Sequence, residues 1–360
     1  MSTVIIGGGP AGASAAIHLA RSGRQVTLFE RESGPAHKVC GDFLSAEALR
    51  SLLGCGIDPV RLGAAPIGRV RLVSGPWDAV ADLPFAACGL SRRTLDAALL
   101  DSARLTGADV RAGAAVRSLG EIDVGDVLLA TGKHALRGAS RVGKPGPLVG
   151  FKTYLRLRAA QTEALRGHVE LVLYRDGYAG LQLVEDDVAT LCLLAARSRL
   201  QASGGFQELL TWLRRVSPHL DRRLDGAEPV LARPLSVSGL AYGRVHVPRP
   251  GERFWRLGDQ AAVIPSLTGD GVSIALHSGA LAAHVIANGG DAYRYHQTLR
   301  RTLGAQVARA HAIQRLLASA MGCLAVLSAC RAVPALLRAA ARATRIDAAA
   351  ERQLRAGHLF

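Results

Sequence analysis

Apolar and polar positions alternate along the chain with a period that changes from block to block. Val4–Ile6 is a short apolar run that stops at three glycines, the pattern of a strand buried in a parallel sheet. Ala11–Ser22 has helical composition and stops at Gly23, a C-cap residue type. Gln25–Phe29 is a second strand, ending at Glu30. Residues 66–83 alternate as a hairpin with its turn at Ser74-Gly75-Pro76. Leu44–Leu53 and Leu90–Leu105 read as helices, and Val127–Ala130 as a further apolar strand. From Phe151 to about Ala195 the period returns to two, around Tyr154, Leu155 and Leu157, then Val169–Tyr174, Tyr178–Val184 and Val188–Leu194. That stretch predicts an antiparallel sheet set apart from the first strands. Gln207–Val216 reads as a helix, Phe254–Leu257 as a strand, and Gly271–Asn288 and the segment from Tyr293 onward as helices.

This order predicts an α/β (α+β) protein. A Rossmann-type nucleotide-binding sheet takes strands from both ends of the chain, and an inserted mixed or antiparallel sheet forms a second lobe. The expected boundaries are 1–65, 84–147 and 250–290 for the nucleotide-binding domain and 66–83 with 148–249 for the substrate domain. A helical segment, 291–360, follows.

Composition narrows the partners. The 360 residues are 49 % hydrophobic and 20 % charged, a globular profile that excludes disorder. The formal net charge is +15, yet of the 44 basic residues only Lys38, Lys133, Lys144 and Lys152 are lysine. The excess arginine fits a composition biased toward Ala, Arg, Gly and Leu. Aromatics are 4 % and do not interleave with the basic stretches, so a nucleic-acid footprint is not expected. The six cysteines form no Cys-x-x-Cys pair and the histidines no metal-ligand spacing, so no metal site is expected. With no basic leader before an apolar core, the expected compartment is a reducing cytoplasm. Residues 291–360 hold 11 arginines against three acids, Asp291, Asp347 and Glu351. Within them Leu316–Cys330 is uncharged but too short, at about 1.5 Å per residue, to cross a bilayer core of about 30 Å. It reads either as a helix packed on the substrate domain or as an interfacial helix in peripheral contact with the inner face of a membrane.

The chemistry begins at Gly7-Gly8-Gly9-Pro10-Ala11-Gly12, a G-x-G-x-x-G that follows a strand, opens a helix and precedes a strand ending in acid at Glu30, with Arg31 beside it as a further candidate cofactor contact. That context makes it a dinucleotide-binding fingerprint. Gly7 permits the tight turn, Gly9 lets backbone approach a pyrophosphate, and Gly12 lets the helix pack on the strand. The N–H groups at the start of the helix, from Ala11 on behind Pro10, face the diphosphate. Glu30 is the expected acceptor for adenosine ribose hydroxyls.

Three more segments resemble the FAD-dependent superfamily that holds aromatic hydroxylases, such as p-hydroxybenzoate hydroxylase, and the geranylgeranyl reductases. Ser91-Arg92-Arg93-Thr94-Leu95-Asp96 is similar to its Arg-x-x-Leu-Asp segment, which puts Arg92 near the flavin's ribityl pyrophosphate. Leu257-Gly258-Asp259-Gln260-Ala261-Ala262 is similar to its Gly-Asp-Ala-Ala motif, which gives Asp259 a ribityl hydroxyl. Pro265-Ser266-Leu267-Thr268-Gly269-Asp270-Gly271-Val272 resembles the loop and helix start beneath the isoalloxazine, with Gly269, Gly271 and Val272 against the ring. Lys38-Val39-Cys40-Gly41-Asp42 resembles the Lys-x-Cys-Gly segment of the geranylgeranyl reductase branch. By that resemblance Cys40 and Gly41 contact the flavin, Cys40 is a candidate catalytic group, and Pro265, Tyr178 and Leu181 border the substrate. Asp42 beside it reads as a proton donor or as a helix cap. Two segments depart from the pattern. Ala130-Thr131-Gly132 replaces Gly-Ala-Asp-Gly, leaving Gly132 as the strand end against the cofactor, and Tyr178 is the one aromatic of the expected substrate motif.

The resemblance implies FAD as cofactor and a hydrophobic small-molecule substrate. Its first expected reaction is reduction of a carbon–carbon double bond. Hydroxylation of an aromatic or polyketide substrate is the alternative, and a flavin-binding electron carrier a third. No second G-x-G-x-x-G unit is present, so NAD(P)H is expected only as a transiently docking reductant.

Overall fold

A computed structural model of the chain describes residues 2–121, 125–139 and 146–356. The first half runs β1 (Ser2–Ile6), α1 (Pro10–Arg21), β2 (Gln25–Glu30), β3 (Phe43–Leu44), α2 (Ala46–Gly54), β4 (Ala65–Ser74), β5 (Trp77–Gly89), α3 (Arg92–Leu105), β6 (Asp109–Ala112) and β7 (Asp126–Leu129). The middle runs β8 (Leu148–Arg156), α4 (Ala159–Leu165), β9 (Gly167–Tyr174), β10 (Gly177–Leu183), β11 (Ala189–Ala196), α5 (Arg197–Ser203), α6 (Phe206–Val216) and α7 (Pro218–Arg223). Five strands follow: β12 (Glu228–Pro229), β13 (Leu235–Leu240), β14 (Arg244–Val245), β15 (Phe254–Arg256) and β16 (Ala262–Val263). Helices α8 (Gly271–Ala287), α9 (Ala292–Leu317), α10 (Ala320–Ala332), α11 (Ala335–Ala343) and α12 (Ala348–Ala356) complete it.

Two main sheets result. The first is parallel, in the order β15-β7-β1-β2-β6, and its apolar strands are covered by α1 and α8. Small residues set the helix spacing there. Ala13, Ala15 and Ala16 are fully buried, and a Cβ at Gly279 would stand 2.3 Å from the Ala11 carbonyl oxygen. Ser14 Oγ donates to the Leu276 carbonyl at 3.0 Å and ties the two helices further.

The second sheet holds nine strands and is mixed rather than antiparallel, because β4 of the early hairpin lies parallel to β9. Strand β5 runs on to Gly89, past residue 83, where β3 pairs with it. Leu44 therefore belongs to a strand, and the helix expected from it starts at Ala46 with Ser45 as its N-cap. One face of this sheet packs on α4, α6 and α7 through Val172, Leu181, Leu191, Leu209 and Leu213. The other face turns toward the first sheet. The C-terminal helices form the remaining wall and join the core through Leu317, Cys323 and Leu327. Among the described residues no single helix is long and apolar enough to cross a membrane; α9 and α10 together are, but they meet at 109°.

Candidate functional site

The glycine loop has the sterics its motif requires. Gly7 has φ +107°, and a Cβ there would lie 2.4 Å from the Ala130 carbonyl oxygen; one at Gly12 would lie 2.0 Å from the Gly7 oxygen. Gly9 ends in extended backbone just before Pro10 at the first position of α1. The first turn of α1 carries no acidic residue, so its positive end faces the cavity unopposed by a side chain of its own. Glu30 Oε2 accepts the Gly8 N–H at 2.7 Å and its Oε1 the Glu32 N–H at 3.0 Å, which fixes the carboxylate beside the loop. Arg31 instead points outward and pairs with Glu32 at 3.1 Å; it does not line the cavity.

Arg92 lies over this loop, with Nη2 3.4 Å from where a Gly9 Cβ would stand. Its fork grips Asp96 through two 2.7 Å hydrogen bonds. Burial works against the guanidinium charge, but Asp96 more than offsets it, so Arg92 stays a cation.

Asp42 has a different place from the one expected. It is fully buried, does not line the cavity, and has φ +59°, a backbone region that Asp tolerates better than most residues. Lys152 Nζ approaches its Oδ1 at 2.7 Å and its Oδ2 at 2.6 Å, and Tyr154 Oη donates at 2.8 Å. Its Oδ1 also accepts the Arg92 backbone N–H at 3.2 Å, so it serves the first turn of α3, whose N-cap is Ser91, and not α2. The carboxylate thus joins the Cys40–Gly41 loop, the first turn of α3 and strand β8. Cys40 and Gly41 do border the cavity, and Cys192 Sγ reaches the Cys40 carbonyl at 3.1 Å.

The cavity measures about 340 Å³ and lies between the two sheets. Gly9, Pro10, Ala11, Cys40, Gly41 and Arg92 border it from the early motifs; Gly132, Asp259, Gly269, Gly271 and Val272 do so from the later ones. Four of these glycines leave backbone open toward it. A Cβ at Gly41, Gly132 or Gly271 would meet no atom within 4 Å, and one at Gly9 only Arg92. This run of bare main chain beside a cation and the N-termini of α1 and α8 is a cradle that fits FAD. The opposite wall is hydrocarbon: Val70, Leu72, Val169, Leu171 and Leu173 from the second sheet, and Leu317, Val326 and Leu337 from the C-terminal helices.

Polar groups on that wall are few. Tyr178 Oη meets Ser266 Oγ at 2.6 Å, and Tyr242 Oη meets the same oxygen at 2.9 Å. Burial pushes the Tyr178 phenol well above its ordinary pKa. Leu181 borders the cavity, but its neighbours Ala179 and Leu183 and its own contacts lie in the core on the far side of the sheet. Pro265 stays out of the lining, with Ile264 and Ser266 on either side forming it. His277 and His296 are core residues whose pKa values burial lowers to about 4 and about 3.

The sequence reading missed one anchor. Asp270, in the loop before α8, is fully buried and accepts from Ser273 Oγ at 2.8 Å, Ser45 Oγ at 3.2 Å and Arg345 Nη1 at 3.1 Å, and also from Gln306 Nε2. Arg345 donates as well to the Thr268 carbonyl and stacks over Phe85 at 5.0 Å. Lys152 and Glu170, each a lone charge inside an apolar strand, were the kind of sign that points to a buried partner elsewhere.

Comparison with known proteins gives the same direction. Residues 1–126 match the family model described as FAD binding domain. The chain is 26 % identical over 324 residues to menaquinone reductase of Mycolicibacterium smegmatis, covering 80 % of this chain and 76 % of that one. It is 26 % identical over 314 residues to digeranylgeranylglycerophospholipid reductase 2 of Methanosphaera stadtmanae, covering 79 % and 77 %. Among solved structures it superposes on a flavin-dependent brominase with a TM-score of 0.77 at 16 % identity, covering 99 % and 98 %, a likeness of fold.

Proposed function

We propose that the chain, whose residues 1–126 match an FAD binding domain and most of which is similar to two reductases, is an FAD-dependent oxidoreductase that reduces a carbon–carbon double bond in a lipophilic substrate. The observation that carries this reading is the hydrocarbon wall facing the glycine cradle across one cavity. Such a wall favours an apolar chain or ring by burial and keeps water from the reacting bond. Both curated relatives described above carry reductase names. FAD, when bound and reduced, supplies the electron pair. The N–H groups of the Gly9–Gly12 turn and Arg92 hold its diphosphate, and Asp259 takes a ribityl hydroxyl. Cys40 stands on the cavity as the candidate catalytic group. Asp42 holds the Cys40–Gly41 loop in register through Lys152 and Tyr154. NAD(P)H, docking transiently, is the electron source we propose.

The outer faces of the C-terminal helices support peripheral contact with an anionic membrane. Leu316, Met321, Leu324, Val333 and Leu336 are exposed there, beside the exposed Trp77 on which Arg331 stacks at 4.8 Å. Residues 292–346 contain nine arginines and no acid. The same helices line the cavity with Leu317, Val326 and Leu337, so a lipid tail would meet one apolar surface outside and in.

The test is anaerobic. Protein loaded with FAD and photoreduced should be reoxidised by a polyprenyl substrate without oxygen, with a mass gain of two hydrogens in the product. Reoxidation that occurs only with oxygen, with an oxygen atom in the product, refutes the reductase reading.

A further inference from the structure

Gln182 stands in strand β10, on the face turned to the cavity, between apolar neighbours. It is 2 % exposed, and among the described residues its Nε2 has no hydrogen-bond partner. A buried amide donor left without an acceptor costs stability, because water has been removed and nothing replaces it. Backbone closes one side of the group: a Cβ at Gly89 would stand 3.1 Å from Nε2 and 1.9 Å from the Leu183 carbonyl oxygen. Gln182 also borders the cavity. Beside Gln182 along the strand, Gly180 offers no side chain, and a Cβ there would find its nearest neighbour, the Tyr178 ring, 3.7 Å away. Tyr178, Gly180 and Gln182 thus form a shelf with room for a flat ring and one donor at its end.

We propose that Gln182 Nε2 donates a hydrogen bond to a carbonyl oxygen of a ring held on this shelf. The donor is a neutral amide, and the cations of the cavity lining are held elsewhere: Arg92 by Asp96, Arg345 by Asp270, and Lys133 at the Val39 carbonyl. The ligand group is therefore a neutral carbonyl and not a carboxylate. Two molecules carry such an oxygen into this cavity: the flavin ring itself, or a substrate whose apolar body ends in a quinone-like or enone carbonyl. The inference rests on reading the cavity as the chamber of flavin and substrate.

The experiment compares wild type with Gln182→Leu, and with Gln182→Met should the branched side chain not fit. Apoprotein is titrated with FAD. The FAD-loaded protein is then dialysed to equilibrium with 2,3-dimethyl-1,4-naphthoquinone or with 2,3-dimethylnaphthalene, which differ only in the two carbonyl oxygens. The variant should bind one carbonyl ligand about 10-fold more weakly, while the hydrocarbon's affinity stays unchanged. Weaker FAD binding identifies the flavin ring as the partner; weaker quinone binding alone identifies the substrate. The Tm of the ligand-free variant should not fall, since no protein partner is lost. Unchanged affinity for both FAD and the quinone in a folded variant overturns the inference and leaves the oxidoreductase reading standing. A wild-type protein that retains no FAD overturns both.

Discussion

Replacing Lys152 by methionine is the sharpest test of how the site is held. The change removes one charge and keeps most of the side-chain volume. Lys152 and Asp42 are both fully buried, at 2.6–2.7 Å. At that separation, with an effective dielectric of about 20, their attraction is about 6 kcal/mol, part of which offsets the cost of taking both ions out of water. Among the described residues, the variant leaves Asp42 beneath the Cys40–Gly41 loop with the Tyr154 hydroxyl and the Arg92 N–H as the remaining partners of its side chain. Breaking one side of such a pair costs about 3–5 kcal/mol, a large share of the 5–15 kcal/mol that holds a typical domain. Urea unfolding followed by tryptophan fluorescence measures it. Adding Asp42→Asn removes the stranded charge, keeps a residue tolerant of φ +59°, and should recover a large part of the loss. A loss below about 1 kcal/mol in the single variant, or a double variant no more stable than the single one, would refute the buried-pair argument.

Three further outcomes follow from the same coordinates. Asp259→Ala should release FAD on gel filtration that the wild type retains; full retention removes Asp259 from the cofactor site. In strand β9 burial works to raise the Glu170 carboxyl, yet His219 at 2.7 Å and Arg223 at 2.8 Å hold its pKa down to about 2. Because the folded value is depressed, its contribution, about 3 kcal/mol, is present above pH about 4.5 and lost as the pH falls toward 2. Urea midpoints measured across that range should fall more steeply for wild type than for Glu170→Gln, and parallel curves would contradict this. Met321, 83 % exposed, and Leu324 sit on the outer face of α10. Met321→Glu with Leu324→Glu should cut cosedimentation with phosphatidylglycerol vesicles several-fold while FAD content stays the same; equal cosedimentation would detach that face from the membrane.

What the sequence disclosed depended on how local each requirement is. The glycine loop was readable because its demands lie within a few residues: Gly7 must reach positive φ, and Gly12 must clear the Gly7 oxygen. The hairpin at Gly75 was readable for the same reason, since its turn and alternation are contiguous. The parallel pairing of β4 with β9 was not, because nothing in either strand names a partner about a hundred residues away. Nor could alternation assign faces in the second sheet. Both of its faces are apolar, one to the core and one to the cavity, so Leu181 and Gln182 look alike in their claim on the substrate. Asp42 misled for a related reason. Its neighbours in sequence suggested chemistry at Cys40, whereas its partners Lys152 and Tyr154 come from a strand more than a hundred residues later.

The Arg345–Asp270 contact bears on the order in which the protein is made. Asp270 sits at the start of α8, which buries its apolar length against α1, near the beginning of the chain. Among the described residues its cationic partner is Arg345, and Gln306 reaches it from the middle of α9. On the ribosome, the nucleotide-binding half would emerge and collapse while this carboxylate still lacked its counter-ion. The last helices therefore complete this site: burial pushes the Asp270 carboxyl up and Arg345 works against that, so without Arg345 the protonated acid is favoured.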